Sequence, residues 1–311
     1  MNASQKEFLS GIAEKNTIEY AIENGKIQLL KKLIREGAKI DNDTKNYVGR
    51  AVEGGHPLEI VKYLVEKGAK INEYALCYAV ESGNLEIVKY LVEKGGKGYD
   101  IVEGAARYGH LEIVKFMVGK GAEIGDEAVS SAAGSGNLEI VKYLVEEGAK
   151  IDEYAVSSAA GSGNLKIVKY LVEKGAEIGD EAVSSAAGSG NLKIVKYLVE
   201  KGAEIGDEAV SSAAEGGNLE IVKYLVEKGA EIGDGTVYIA AYSSFEIVKY
   251  LVEKGANIDD DAVGIAEENG HLEMVKFLEI VKFLEDEKEL SRSETMIIYD
   301  KIKTGELELP E

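Results

Sequence analysis

The sequence predicts an all-α fold, an α-solenoid of about ten helix-turn-helix repeats joined by short loops. The first observation behind this is the segment Asn191-Leu192-Lys193-Ile194-Val195-Lys196-Tyr197-Leu198-Val199-Glu200-Lys201-Gly202-Ala203, close copies of which recur along almost the whole chain. The second is their spacing. The copies open on Leu58, Leu85, Leu111, Leu138, Leu165, Leu192, Leu219, Phe245 and Leu272, at steps of 27, 26, 27, 27, 27, 27, 26 and 27 residues, after a worn first member at Ile27. A fixed period in this range marks a solenoid, in which each unit buries its apolar face only against its neighbours. The third is composition: 36 Gly against 2 Pro fits many tight turns of one kind better than a disordered linker. One array over residues 14–285 is therefore expected from a chain of 311 residues, in place of two ordinary domains.

Taken in order, Phe8, Leu9 and Ile12 stand at helical spacing and predict an N-terminal capping helix over 1–13, since a terminal unit must have its outer face shielded. The first repeat places a short helix around Ile18, Ala21 and Ile22, a break at Gly25, and a longer helix from Ile27 to Gly37. The clearest unit runs from Asp126 to Ala149. Asp126 offers a short carboxylate as N-cap to a first helix over Glu127–Ala133. Ala128, Val129, Ala132 and Ala133 share its core face, and Ser130, Ser131 and Gly134 are expected on an exposed stripe. Gly134-Ser135-Gly136 ends that helix and Asn137 can cap the next. In the second helix Leu138, Val141, Leu144 and Val145 form the expected buried stripe, with Ile140 and Tyr143 at its margins, and Gly148 closes it in the left-handed conformation.

The last repeat carries Leu272-Glu-Met-Val-Lys-Phe followed at once by Leu278-Glu-Ile-Val-Lys-Phe. Six residues turn a helix through about 600°, about 120° short of two turns, so the second copy's apolar face points away from the first. Something must cover the widened face. Residues 286–311 are read as a C-terminal capping helix and acidic tail, with Ser291 and Glu294 as a capping box and Met296, Ile298, Tyr299 and Ile302 as the covering side chains.

The second helix closing on Gly-Ala, the Ala132-Ala133 pair, and Gly136 before the next helix together resemble the ankyrin repeat. The strongest likeness is to the Leu-Glu-Ile-Val-Lys-Tyr-Leu-Val-Glu-Lys-Gly-Ala style of ankyrin proteins from large DNA viruses and some microbes. The family's Thr-Pro-Leu-His is absent, with Glu127-Ala128-Val129-Ser130 in its place, and the unit is six residues short of the family's 33. The deficit falls between Gly-Ala and the first helix, where the family projects a β-hairpin finger. The resemblance thus implies shortened units with short loops instead of fingers. It also implies a protein-protein interaction module that binds through its concave inner-helix surface and acts on host or defence proteins; the lone cysteine and the lack of an apolar run of signal-peptide length add the expectation of a cytoplasmic location, the host cytosol if viral.

On that surface the central units repeat Ser, Ser and Gly, which supply none of the Trp, Tyr or Arg anchors that dominate interfaces. The flanking units break the pattern, and Arg50, Tyr78, Glu103, Arg107, Tyr108, Tyr238 and Tyr242 are the candidate partner-binding residues. Lys plus Arg is 36 against 56 Asp plus Glu, giving −20, a charge that suits a protein partner with a basic surface and argues against nucleic acid and anionic membrane. An acidic decoy that imitates nucleic acid and blocks a basic protein is the alternative from another class. No cofactor, metal or catalytic residue is expected. His56, His110 and His271 all fall at the turn before a second helix without a nucleophile or ligand partner, and Cys77, the lone cysteine, takes a Ser position on a first helix. Gly161-Ser162-Gly163 lacks the preceding strand and following Gly-Lys-Ser/Thr of a phosphate loop. The aromatic series Tyr63, Tyr90, Phe116, Tyr143, Tyr170, Tyr197, Tyr224, Tyr250 and Phe277 is expected to stack as a ladder between repeats.

Overall fold

The computed structural model describes residues 17–41, 46–179, 181–286 and 289–307. The helix expected over 1–13 lies outside the described residues, as do the last four residues of the acidic tail. Among the described residues there are 21 helices and no strand. The chain divides into two compact units, 1–150 and 151–311.

In the first unit the helices are α1 (Ile18–Glu23), α2 (Ile27–Arg35), α3 (Tyr47–Glu53), α4 (Leu58–Glu66), α5 (Glu73–Glu81), α6 (Leu85–Glu93), α7 (Ile101–Arg107), α8 (Leu111–Gly119), α9 (Ala128–Gly134) and α10 (Leu138–Glu146). In the second they are α11 (Ala155–Gly161), α12 (Leu165–Glu173), α13 (Glu181–Gly188), α14 (Leu192–Glu200), α15 (Ala209–Glu215), α16 (Leu219–Glu227), α17 (Thr236–Ala241), α18 (Phe245–Glu253), α19 (Asp260–Glu268), α20 (Leu272–Asp286) and α21 (Arg292–Lys303). Odd-numbered helices up to α19 are the first helices of their repeats, and even-numbered ones are the second. Within each unit a first helix packs on its own second helix and on the first helices either side.

Small side chains explain why first helices approach most closely. Ala128, Val129, Ala132 and Ala133 are buried, as are their equivalents Ala182, Val183, Ala186 and Ala187. A Cβ on Gly188 of α13 would stand in ordinary contact, 3.5 Å, with the Ser212 carbonyl oxygen of α15, so the two helices lie within one methyl group's reach of each other. The expected exposed stripe is corrected by this packing. Ser130 and Ser157 are buried, and Ser131, Ser158, Ser184, Ser185, Ser211 and Ser212 are half-buried. Each leading serine hydroxyl turns back on its own helix, Ser130 Oγ donating to the Glu127 carbonyl at 2.9 Å and Ser184 Oγ to that of Glu181 at 3.0 Å. A hydroxyl satisfied in this way is cheap to bury.

The second helices bury a different arc from the one expected. Ile140, Val141 and Leu144 form the core, while Leu138 and Val145 are half-buried at its margins. Gly148 has φ +87, and the amides of Gly148 and Ala149 donate to the carbonyls of Val145 and Leu144, which ends the helix.

Capping also departs from expectation. Asn46, Asn72 and Asn84 accept from the Gly49, Ala75 and Ile87 amides. Asp126 and Asn137 do not cap: α9 begins after Glu127, and Asn137 Nδ2 donates to Ser135 Oγ at 2.9 Å. Its amide lies instead over the turn of the preceding repeat, 2.6 Å from where a Cβ of Gly109 would stand.

At the C-terminal end of the second unit, α21 covers the doubled helix. Phe277 is fully buried, with its ring 4.8 Å from that of Tyr299 at 78° and 5.6 Å from that of Phe245. Glu294 reaches back to accept from the Ser291 amide at 3.0 Å, and Lys303 pairs with Glu273 at 2.8 Å.

Candidate functional site

The candidate residues fall into two groups, one in each unit. In the first unit Arg50 is exposed on α3 and pairs with Glu23 of α1 at 3.1 Å, and Tyr78 is half-buried on α5. On α7, Glu103 and Arg107 lie one turn apart and form an ion pair, and Ser131 Oγ of α9 reaches the same carboxylate at 3.4 Å. Tyr108 follows directly, 51% exposed, its ring stacked at 6.4 Å on His110. His110 Nε2 is 3.0 Å from the Glu81 carbonyl oxygen, so the imidazole is held over the preceding turn and the tyrosine is braced against it. The structure thus brings Glu103, Arg107 and Tyr108 together with Ser131 and His110, while Arg50 stands on its own with Glu23.

In the second unit the group is the pair on α17. Tyr238 and Tyr242, one turn apart, share a hydrogen bond of 2.8 Å between their hydroxyls, and their rings meet edge-on at 5.5 Å. That hydrogen bond is the main reason the Tyr242 hydroxyl titrates above the ordinary tyrosine value. Tyr242 is 50% exposed, and Ser243 beside it is held by bonds to the Ala214 and Ala240 carbonyls. Rigid, half-buried aromatic and guanidinium groups are the kind that anchor a protein partner at small entropic cost.

Three residues escaped the sequence reading. Tyr74, Tyr99 and Tyr154 stand exposed, Tyr99 at 77%, at the entries to first helices. The signal was present: each takes a position where sibling repeats carry Asp126, Glu127, Glu181 or Glu208. Among the described residues no group of three or more His, Cys, Asp or Glu is arranged to hold a metal ion.

The aromatic series is also corrected. At Tyr63, Tyr90, Phe116, Tyr197, Tyr224 and Tyr250 each ring lies between two lysines, one from the preceding repeat and one from its own. Tyr197 has Lys169 of the preceding repeat at 5.4 Å from its centroid and its own Lys201 at 5.7 Å, and Tyr224 has Lys196 and Lys228 at 5.5 and 5.7 Å. The ammonium groups take the faces that ring-on-ring stacking would need.

Helix pairs repeated along the chain define a helical-repeat protein of the solenoid class. The model of the family described as ankyrin repeats matches residues 18–104, 102–182, 129–209, 159–236 and 210–284. The chain belongs to the ankyrin-repeat family. No curated protein matches it significantly. Among solved structures it is similar to the pentatricopeptide repeat protein PPR10 in complex with an 18-nt psaJ RNA element, at 11% identity and a TM-score of 0.46 over 99% of this chain and 57% of that one. It is also similar to PPR10 from maize, at 12% identity and a TM-score of 0.41 over 94% and 54%. The chain spans a little over half the length of these proteins, and scores this low assign it neither their path nor their ligand.

The expectation of no nucleic-acid partner does not stand, because the similar structures include repeat proteins holding RNA. The physical fault lay in arguing from the total of −20. A net charge says nothing of its distribution: lysines stand over successive rings on the second helices, beside carboxylates such as Glu173 and Glu200. No helix among the described residues is long and apolar enough to cross a membrane.

Proposed function

We propose that the chain is a non-catalytic interaction module that binds another protein through the first-helix surfaces around Glu103–Tyr108 and Tyr238–Tyr242. The observation that carries this reading is where the anchors sit. The central first helices spend their Ser and Gly on packing, and the exposed Arg50, Arg107, Tyr108 and Tyr242 lie on or directly after the flanking first helices, where that pattern is broken. Ankyrin repeats are in general protein-interaction modules, which supports the same reading. The likeness in sequence style to viral and microbial ankyrin proteins favours a host-side partner.

The test is site-specific photo-crosslinking with p-benzoylphenylalanine placed at Tyr108, Tyr242 or Tyr197. The reading expects one and the same partner crosslinked from Tyr108 and Tyr242 and not from Tyr197 on a second helix. Crosslinks from Tyr197 alone would overturn it.

A further inference from the structure

Seven second helices carry a glutamate at their second position, from Glu59 of α4 to Glu273 of α20, whereas α12 and α14 carry Lys166 and Lys193 there. In the siblings that glutamate can serve two lysines. Glu112 pairs with Lys115 of its own helix at 3.3 Å, and Glu59 with Lys31 of the preceding repeat at 2.6 Å. In the second unit the exchange leaves Lys169 with a lysine at both places, Lys166 on its own helix and Lys193 on the next. Lys166, Lys169, Lys193 and Lys196 are all exposed, and among the described residues none of the four is in an ion pair.

The exchange works against the fold. A lysine in the first turn opposes the helix dipole where a glutamate would favour it, and like charges one turn apart repel. Lys169 and Lys196 lie over the Tyr197 and Tyr224 rings, but Lys223 lies over Tyr250 in the same way with the sibling Glu220 in place, so the rings are no compensation. A local rule broken in two successive repeats without an internal gain points to a contact outside the chain. The first-helix side of the same unit offers the complement. Glu181, Glu208 and Glu215 are exposed and edge a shallow groove of about 400 Å³ floored by Ser184, Gly188 and Ser212. Among the described residues no cation lines it, and none of the three carboxylates is in an ion pair. Lys166 to Lys193 and Glu181 to Glu208 each span one 27-residue step, so the same stacking of helices, roughly 8–10 Å per step, spaces both pairs of charges.

We propose that the lysines of α12 and α14 are a contact surface for a second copy of the chain, docked through its Glu181, Glu208 and Glu215. A long polyanion fits less well, because the exposed Glu173, Glu200 and Glu220 border the patch and repel an anionic polymer that runs past it. The net charge of −20 does not forbid the contact, since repulsion between distant charges is screened beyond about 8 Å at physiological salt and docked pairs lie within that distance. The two surfaces differ, so the contact is heterologous: it leaves a free lysine patch on one copy and a free groove on the other, and association grows with concentration. It uses neither Glu103–Tyr108 nor Tyr238–Tyr242 and is independent of the protein-binding reading above.

Sedimentation velocity of the full chain over a range of concentrations tests this. The unaltered chain is expected to sediment faster as its concentration rises. Lys166→Glu/Lys193→Glu, which restores the sibling residue, and Glu181→Lys/Glu208→Lys are each expected to stay monomeric. Mixed in equal amounts the two variants are expected to form a dimer, because one keeps the groove and the other keeps the lysines. A sedimentation coefficient of the unaltered chain that does not change with concentration overturns the proposal. So does undiminished association of Lys166→Glu/Lys193→Glu, or a mixture of the two folded variants that stays monomeric. An unaltered chain that stays monomeric yet holds fluorescein-labelled oligoglutamate or oligothymidylate through these lysines assigns the patch to a foreign polyanion and overturns the second copy. Circular dichroism reports whether each variant is folded, and the results on the unaltered chain and on Lys166→Glu/Lys193→Glu decide the matter if Glu181→Lys/Glu208→Lys does not fold.

Discussion

The imidazole of His110 lies against the turn glycine of the preceding repeat, so close that a Cβ on Gly83 would stand 2.5 Å from its Cε1. Gly83 has φ +71, so a side chain there meets both backbone strain and the ring. Asn137, Asn191 and Asn218 occupy the same place over Gly109, Gly163 and Gly190, which makes this contact a recurrent inter-repeat staple. Gly95 also has positive φ, +82, but nothing lies within 4 Å of its would-be Cβ. Gly95→Ala should therefore cost about 1 kcal/mol from the left-handed conformation alone, and Gly83→Ala at least about 2 kcal/mol because the ring must also move. Urea unfolding of the two variants measures the difference, and equal losses would show that the imidazole contact contributes nothing.

The shared hydrogen bond between Tyr238 and Tyr242 holds the Tyr242 hydroxyl above the ordinary tyrosine value. Tyr238→Phe removes that partner and should bring the Tyr242 titration down toward the ordinary value. The ring-proton chemical shifts of Tyr242 followed against pH read this directly; an unchanged midpoint would mean that the hydrogen bond is not formed in solution.

Between Lys169 and Lys201 the Tyr197 ring supplies two cationic contacts. Tyr197→Phe keeps both faces and should change stability by under about 0.5 kcal/mol, whereas Tyr197→Leu should lose about 1–2 kcal/mol. Phe116 at the equivalent place in its own repeat, with Lys89 and Lys120 at 5.8 and 5.7 Å, already shows that the hydroxyl is dispensable. Thermal unfolding of the two variants distinguishes cation–π contact from simple apolar burial.

Burial, and then the Glu81 and Glu73 carboxylates, push the Cys77 thiol up. Less thiolate is then present at any given pH, so alkylation by iodoacetamide at neutral pH should be slower than that of an unfolded-chain thiol, with its rate-pH midpoint displaced upward. Equal rates in the folded and denatured chain would contradict this.

Much of the fold was legible because a 27-residue period repeats the same apolar spacing many times, and glycines at fixed offsets mark most helix ends. The first-helix core of Ala128, Val129, Ala132 and Ala133 followed from the wheel alone. What the wheel misplaced was set by neighbouring repeats. Ser130 is buried with its hydroxyl returned to the Glu127 carbonyl, and Asn137 braces the previous turn because a glycine leaves room there. The lysines over Tyr197 come from two different repeats, so no reading of one unit could place them. Of the candidate site, the residue types at the repeat breaks were legible, as was the helical spacing of Glu103 with Arg107 and of Tyr238 with Tyr242. The exposure of Tyr99 was not, since it depends on how a shortened loop settles between its neighbours.

The central claim is that the broken repeats, and not the uniform second helices, hold a protein partner. Its most direct measurement is the affinity of the crosslinked partner for the chain, for Arg107→Ala/Tyr108→Ala, for Tyr238→Ala/Tyr242→Ala, and for Lys193→Ala/Lys196→Ala as the second-helix control, by isothermal titration calorimetry. The account predicts a loss of about tenfold or more for each of the first two and under about twofold for the control. Undiminished affinity in the first two variants, with loss only in the control, would contradict it.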